Sequence, residues 1–400
     1  MKHVRISLVI VTLSVLFTIS QHSLEAKEQA GTYPIEIEKP RILKKAESYL
    51  EEIPRTVTKD LCERSQGGPH DYYSEGDYWW PNPEDPNGPY IRRDGETNPE
   101  LFYAHRKSMV RLSEIIGTLT SAYLITGEER YAAHAVKHLN AWFVDPKTRM
   151  NPCLLYAQAI PGRCSGRGIG IIDTLHLVEV ARGAKLLCDS PSFPSEDQTK
   201  VRAWFRDYLT WMNTHEYGKK EKVHHNNHGV CWSLQAATFA DFVCDKEILE
   251  WICNQFKTVY LANMMDERGG FPKELGRTKP YCYSLFMIDA MAGVAQIASS
   301  AEDNLWSFEL PDGRGMKLGM EFIVPYIKDK STWPLKPDVM WWDKWPVRQP
   351  SLLFAGLHFN KHEYLSVWEK LEADPQTFEV LRNLPLRHPL LWITKNKPAL

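Results

Sequence analysis

The chain has 400 residues, 43% hydrophobic, 12% aromatic and 24% charged, which excludes a disordered chain and is ample for a large core. Its formal net charge of −2 gives no support for a nucleic-acid binder or a polybasic membrane anchor, although a locally basic cleft remains compatible with it.

Lys2, His3 and Arg5 precede an apolar run from Ile6 to Ile19, the pattern of a signal peptide and short for a membrane span. Small residues at Ser20, Ser23 and Ala26 follow. Residues 1–26 are therefore expected to be a signal peptide and 27–400 a single catalytic domain. The first cysteine is Cys62, so lipid attachment just after the apolar run is not expected. The expectation is an exported protein, periplasmic or secreted, with no membrane contact after cleavage. Eight cysteines permit disulfides in such a protein. Cys153 and Cys164 flank a loop and are positioned to pair; Cys231, Cys244 and Cys253 lie in apolar helical patterns and read as buried thiols.

From Phe102 to Thr126 apolar residues recur at helical spacing and Gly127 stops the run. A second helix follows, with Ala132, Ala135, Val136, Leu139 and Trp142 on one face, so the pair is an αα-hairpin. Further helical patterns cover residues near 171–188, 198–216, 229–243, 246–265, 281–299 and 351–372, while alternating strand patterns are scarce. Consecutive hairpins joined by long aromatic and proline-rich loops, with no fixed repeat period, predict an all-α fold: an (α/α) toroid, an incomplete barrel of about six or seven helical hairpins.

Two segments concentrate reactive side chains. In the first, His224, His225, Asn226, Asn227, His228 and Gly229 directly precede an apolar helix. Capping accounts for one Asn, and the spacing of His224 and His228 leaves a metal reading open, but a cluster that binds an anion accounts for more of the residues. In the second, Glu274, Arg277, Lys279, Tyr281 and Tyr283 lead into another helix. Together they hold what β-elimination from a uronate needs. Asn, His and Arg can neutralise the carboxylate and stabilise the enolate-like transition state, and a base and an acid can move the C5 and O4 protons. In mannuronate and glucuronate H5 and O4 share one ring face, so one tyrosine can do both. Its ordinary pKa of about 10 would have to be lowered by cations, for which Arg277 and His228 are the candidates.

An aromatic loop supplies Trp79, Trp80, Arg92 and Arg93, suited to sugar faces and carboxylates. The loop with Trp333, Trp341, Trp342 and Trp345 is read as packing. A glycoside hydrolase remains an alternative, since Asp71, Glu75, Asp77, Asp94, Asp173 and Glu274 could supply a carboxylate pair. So does a glycan-binding protein without catalysis.

The stretches DYYSEGDYWWPNP and PYIRRDGETNPE, with GRGIGIIDT, NNHG and ELGRTKPYCYSLF, resemble the alginate-lyase-domain family of polysaccharide lyases. The resemblance spans residues 71–286. It implies an (α/α) toroid and a metal-independent elimination with no cofactor. Asn227 and His228 would neutralise the carboxylate with Arg277 assisting, and Tyr283 would be base and acid. Tyr281 is its rival, because the Arg-to-Tyr spacing is short. Trp79, Trp80, Arg93, Arg167, His225, Lys279 and Tyr281 are expected to bind substrate. The expected partner is an anionic uronate polymer, mannuronate-rich alginate or glucuronan, cleaved by syn elimination to a 4,5-unsaturated uronate by a monomer that binds no nucleic acid.

Overall fold

The computed structural model describes residues 33–393, so the expected signal peptide lies outside the described residues. In chain order the helices are α1 (residues 33–49), α2 (Ala104–Thr126), α3 (Glu129–Phe143), α4 (Leu177–Leu186), α5 (Ser195–Thr214), α6 (Glu216–Lys222), α7 (Asn227–Val243) and α8 (Lys246–Gln255). They continue with α9 (Pro272–Leu275), α10 (Pro280–Ala298), α11 (Met316–Lys328), α12 (Pro350–His358), α13 (His362–Lys370), α14 (Phe378–Arg382) and α15 (Leu390–Ile393). Four short strands are all in the loops: β1 (Tyr73–Glu75), β2 (Trp79–Trp80), β3 (Ile91–Arg92) and β4 (Tyr156–Ala159).

The helices form the expected (α/α) toroid. Helices α2, α4, α7, α10 and α12 pack in succession as the inner ring, and α3, α5, α8, α11 and α13 lie outside it. Burial explains the division. Fifteen of the 17 residues of α7 and 16 of the 19 of α10 are buried, whereas α8 buries only Ile252 and Cys253; a helix apolar all round belongs inside. Helix α10 is long and apolar enough to cross a membrane, but 83% of that window is buried, so it is a core helix. Helix α1 links the two ends of the ring, with Arg130 bonded to Glu47 on one side and Tyr33 bonded to Glu369 on the other. The C-terminal segment runs through the interior: His388 meets Thr118 of α2 and Glu179 of α4, and Gln296 of α10 donates to the Trp392 carbonyl.

Several expectations change in detail. Gly127 does end α2, with φ +73 and its N–H on the Tyr123 carbonyl. The helix expected over 351–372 is two, broken at a turn where Asn360 has φ +53. Helix α8 runs on through a π-helical stretch, Phe256–Met264. Helices α1, α6 and α11 had no counterpart in the periodicity, and neither did the parallel pairing of β1 with β4. Cys153 and Cys164 remain free thiols rather than a disulfide, and Cys244 is exposed at the left-handed cap of α7, whereas Cys231 and Cys253 are buried.

Candidate active site

The two reactive segments become the N-terminal ends of adjacent inner helices. At α7, Asn226 is the cap, its side chain accepting from the His228 N–H at 3.2 Å. That leaves Asn227 and His228 in the first turn. Glu274 of α9 accepts from both the Asn227 backbone N–H (2.8 Å) and Nδ2 (2.6 Å), which fixes the amide. Glu221, buried at the end of α6, accepts from His228 Nδ1 at 2.5 Å. Burial opposes a charge on His228, but attraction to Glu221 outweighs it and the pKa is raised.

At α10, Pro280 takes the first turn, where its missing N–H costs nothing, and Asp338 accepts from the N–H groups of Tyr281 and Cys282 at 2.9 Å. This fixes the direction of the tyrosines on that turn. Tyr283 turns into a cavity of about 240 Å³ lined by Tyr78, Trp79, Arg167, Asn227, His228 and Arg277, among others. Its hydroxyl is 2.7 Å from that of Tyr78 and accepts from Arg277 at 3.2 Å. Arg382 donates to the Tyr78 hydroxyl at 3.1 Å. Buried Lys279 lies over both phenol rings, 5.1 and 5.6 Å from their centroids.

Three cations thus surround two hydrogen-bonded phenols. The Tyr283 phenol is nevertheless pushed well above the ordinary tyrosine range, by burial first and by Tyr78 second, with Arg277 and Arg382 pulling the other way. Arg277 lowers it, as expected of a cation, but desolvation is the larger effect and the net shift is upward. The cations have their own anchors. Arg277 is held by Asp94 at 3.0 Å; burial raises the Asp94 pKa, but Arg277, Thr278 and Arg92 together bring it down to about 2. Arg382 bonds Asp77 (2.7 Å) and Glu379 (2.6 Å), and Arg106 ties Asp77 to Asp173.

The remaining expected residues divide. Trp79 and Arg167 line the cavity with Tyr283. Arg167 is held by Gln158, through its carbonyl at 2.9 Å and its Oε1 at 3.0 Å. Trp80 and Arg93 do not line it: Arg93 stacks on Trp80, 4.9 Å from the ring centroid, and Trp80 donates to the Glu96 carbonyl. His225 is exposed and outside the cavity lining. Lys279 is 1% exposed and paired with Glu379, so it reaches the cavity only through the phenols. Tyr281 is corrected most clearly. Fully buried, it donates to the Tyr326 carbonyl and packs edge-on against Trp333 and Trp342, with no share of the cavity. Two residues along a helix are about 200° apart, so only one of the two tyrosines can face inward.

Trp333 and Trp345 are buried, as packing residues should be. Helix α7 starts after His224, so His224 and His228 do not share a helical face; their rings are 5.9 Å apart. Among the described residues no group of three or more His, Cys, Asp or Glu side chains is arranged to share a metal ion. The carboxylates named for a hydrolase are all engaged: Asp71 with Asn151 and Gly68, Glu75 with Arg64, Asp77 and Asp173 with Arg106, Asp94 with Arg277 and Glu274 with Asn227.

Tyr78, Arg382 and Asn383 are among the lining residues with no place among the expected ones. Tyr78 lies inside the quoted aromatic motif, directly before Trp79 and Trp80. Arg382 and Asn383 sit about 100 residues beyond the last motif. Gln158 has φ +50, a conformation costing about 1–3 kcal/mol in a non-glycine residue. The backbone carbonyl and side chain that hold Arg167 come from this one strained residue. Gly76 explains itself: a Cβ there would lie 2.7 Å from both Arg167 and Trp79.

Residues 56–333 match the family model described as alginate lyase. Among solved structures, an alginate lyase from Bacteroides ovatus is 30% identical, covers 94% of this chain and 97% of its own, and superposes with a TM-score of 0.78. Alginate lyase A1-III from Sphingomonas species A1 is 14% identical with a TM-score of 0.53, covering 88% of this chain and 94% of its own. A variant of A1-III in complex with a tetrasaccharide, also 14% identical, gives 0.57 over 88% and 94%. At that identity these two share the fold. No curated protein sequence matches the chain. With a family model over more than half its length and a related structure over nearly all of it, the chain belongs to the alginate lyase family and is a polysaccharide lyase.

Proposed function

We propose that the enzyme cleaves mannuronate-rich alginate by syn β-elimination, leaving a 4,5-unsaturated uronate on the new non-reducing end. One observation carries this reading: two hydrogen-bonded phenols, Tyr283 and Tyr78, face the cavity shared with Asn227, His228 and Arg277, and Tyr283 is the one that Arg277 bonds. The bound uronate carboxylate sits against Asn227 and cationic His228, which stabilise the enolate-like charge as H5 leaves. Tyr283 takes H5 and returns a proton to O4 on the same ring face.

Burial holds Tyr283 as a phenol in the empty cavity, so the acid form is in place and the base form must be made. The Tyr283 proton passes to solvent before H5 is taken, and the Arg277 guanidinium, bonded to the hydroxyl at 3.2 Å, stabilises the phenolate that remains. Arg382 and Lys279 add positive charge behind Tyr78. The apolar N-terminal run supports export to the periplasm or medium.

The test is absorbance of the conjugated product when the mature protein, with chelator, meets polymannuronate, polyguluronate, glucuronan and hyaluronan separately. Polymannuronate should give the fastest rise. A faster rise on glucuronan would keep the mechanism and change the substrate; new reducing ends without absorbance would overturn elimination.

A further inference from the structure

Beside the Tyr283 cavity lies a second one of about 480 Å³, and the two share a wall: Gln158 lines the first, while its neighbours Ala159 and Ile160 line the second. The second cavity presents Arg163 on a tight turn closed by reciprocal Ile160–Cys164 backbone bonds of 2.9 and 3.1 Å. Gly162 allows that turn, with φ +74 and a Cβ position only 2.8 Å from Pro89 Cα. The same turn is stitched to the aromatic loop: Tyr90 N–H donates to the Pro161 carbonyl at 3.2 Å, and Arg163 Nε to the Tyr90 carbonyl at 2.7 Å. Arg163 is therefore held in place before any ligand arrives.

Its charge is unanswered. Among the described residues no carboxylate pairs with Arg163, while Arg64, the other arginine of this cavity, is bidentate to Glu75 at 2.5 and 2.7 Å. Trp79 connects the two cavities. The Arg163 guanidinium lies 5.1 Å and that of Arg167, in the first cavity, 5.8 Å from its ring centroid. Arg167 too has no carboxylate partner among the described residues. A pre-set guanidinium with free N–H groups is suited to the carboxylate of one uronate ring.

We propose that the second cavity is an additional sugar subsite, in which Arg163 binds the carboxylate of a uronate residue remote from the cleaved bond. The identity of the ligand rests on the reading of the enzyme as acting on a uronate polymer. The subsite makes affinity depend on chain length, since a dimer that fills the Tyr283 cavity leaves the Arg163 cavity unfilled.

The test is calorimetric titration of dimannuronate and hexamannuronate into Tyr283→Phe and into the double variant Tyr283→Phe/Arg163→Gln. The hexamer should bind the double variant about five- to tenfold more weakly, as loss of one charge-assisted contact implies, and the dimer within twofold of the parent. Arg163→Lys should recover part of the loss, and a carboxyl-reduced hexamer should show no difference. Equal losses for dimer and hexamer, or hexamer affinity unchanged by Arg163→Gln, would overturn the subsite. Because titration reads binding without turnover, length-dependent binding in a protein that gives no absorbance on any uronate polymer would sink elimination and leave the subsite standing. No binding of either oligomer to either protein would sink both.

Discussion

The two walls of the cleft are built from the same part, the first turn of a buried inner helix, and are charged in opposite ways. Behind the α7 wall stand carboxylates: Glu221 on His228 and Glu274 on Asn227. Behind the α10 wall stand cations: Arg277 and Arg382 on the phenols, with Lys279 over their rings. Glu221 favours the charged form of His228 and Glu274 fixes the Asn227 amide, which suits that wall to the proposed holding of an anion. Arg277 and Arg382 oppose the burial that raises the Tyr283 pKa, which suits the other wall to the proposed proton transfer. In the proposed reaction one wall holds charge still while the other passes it.

Substitutions can break this division, and the largest effect belongs to the proton-moving wall. Tyr283→Phe should lower polymannuronate turnover by at least about 10³-fold, since one group performs both transfers, with the circular dichroism spectrum unchanged. His228→Ala comes next. It removes the charge facing the carboxylate and should cost about 10²–10³-fold in kcat/KM, read from initial absorbance rates.

A smaller effect sharpens the account of the α7 wall. Glu221 raises the His228 pKa above its ordinary value of about 6.5. The stabilisation from the pair is therefore complete below that pH and fades as pH rises through the raised value. The Tm gap between wild type and Glu221→Gln should be widest near pH 6 and narrower near pH 9; a gap that widens with pH would remove the charged His228. The smallest effect is expected away from both walls. Tyr281→Phe gives up one hydrogen bond of about 0.5–1.5 kcal/mol and should lower Tm by about 1–3 °C, with initial rates within twofold of wild type.

The hairpins around α2, α3, α7 and α10 were legible because their apolar faces recur at helical spacing. Helix α12 merged with α13 because only Phe359, Asn360 and Lys361 separate them and none is a glycine or proline. The site residues at α7 and α10 were legible for a different reason. His, Asn, Arg and Tyr crowd into two short segments, each just ahead of an apolar run. What single segments could not show was which side chains their neighbours consume. Lys279 reads as a free cation until Glu379, 100 residues away, is folded against it. Tyr281 and Tyr283 are indistinguishable until Trp333 and Trp342 enclose one of them. Tyr283 was read as a phenol whose pKa cations lower, because burial cannot be weighed from spacing. Arg382 carried no local signal, since its role depends on Asp77, 305 residues away.

The division between the walls is tested most directly by titrating tetramannuronate into Tyr283→Phe and into Tyr283→Phe/His228→Ala. Tyr283→Phe should bind the tetramer with a measurable Kd, and removing His228 should weaken that binding by about tenfold or more, the loss of one charge-assisted contact. Binding that is lost with Tyr283 alone, or that is indifferent to His228, would contradict the account, because the holding of the sugar would then lie on the α10 wall.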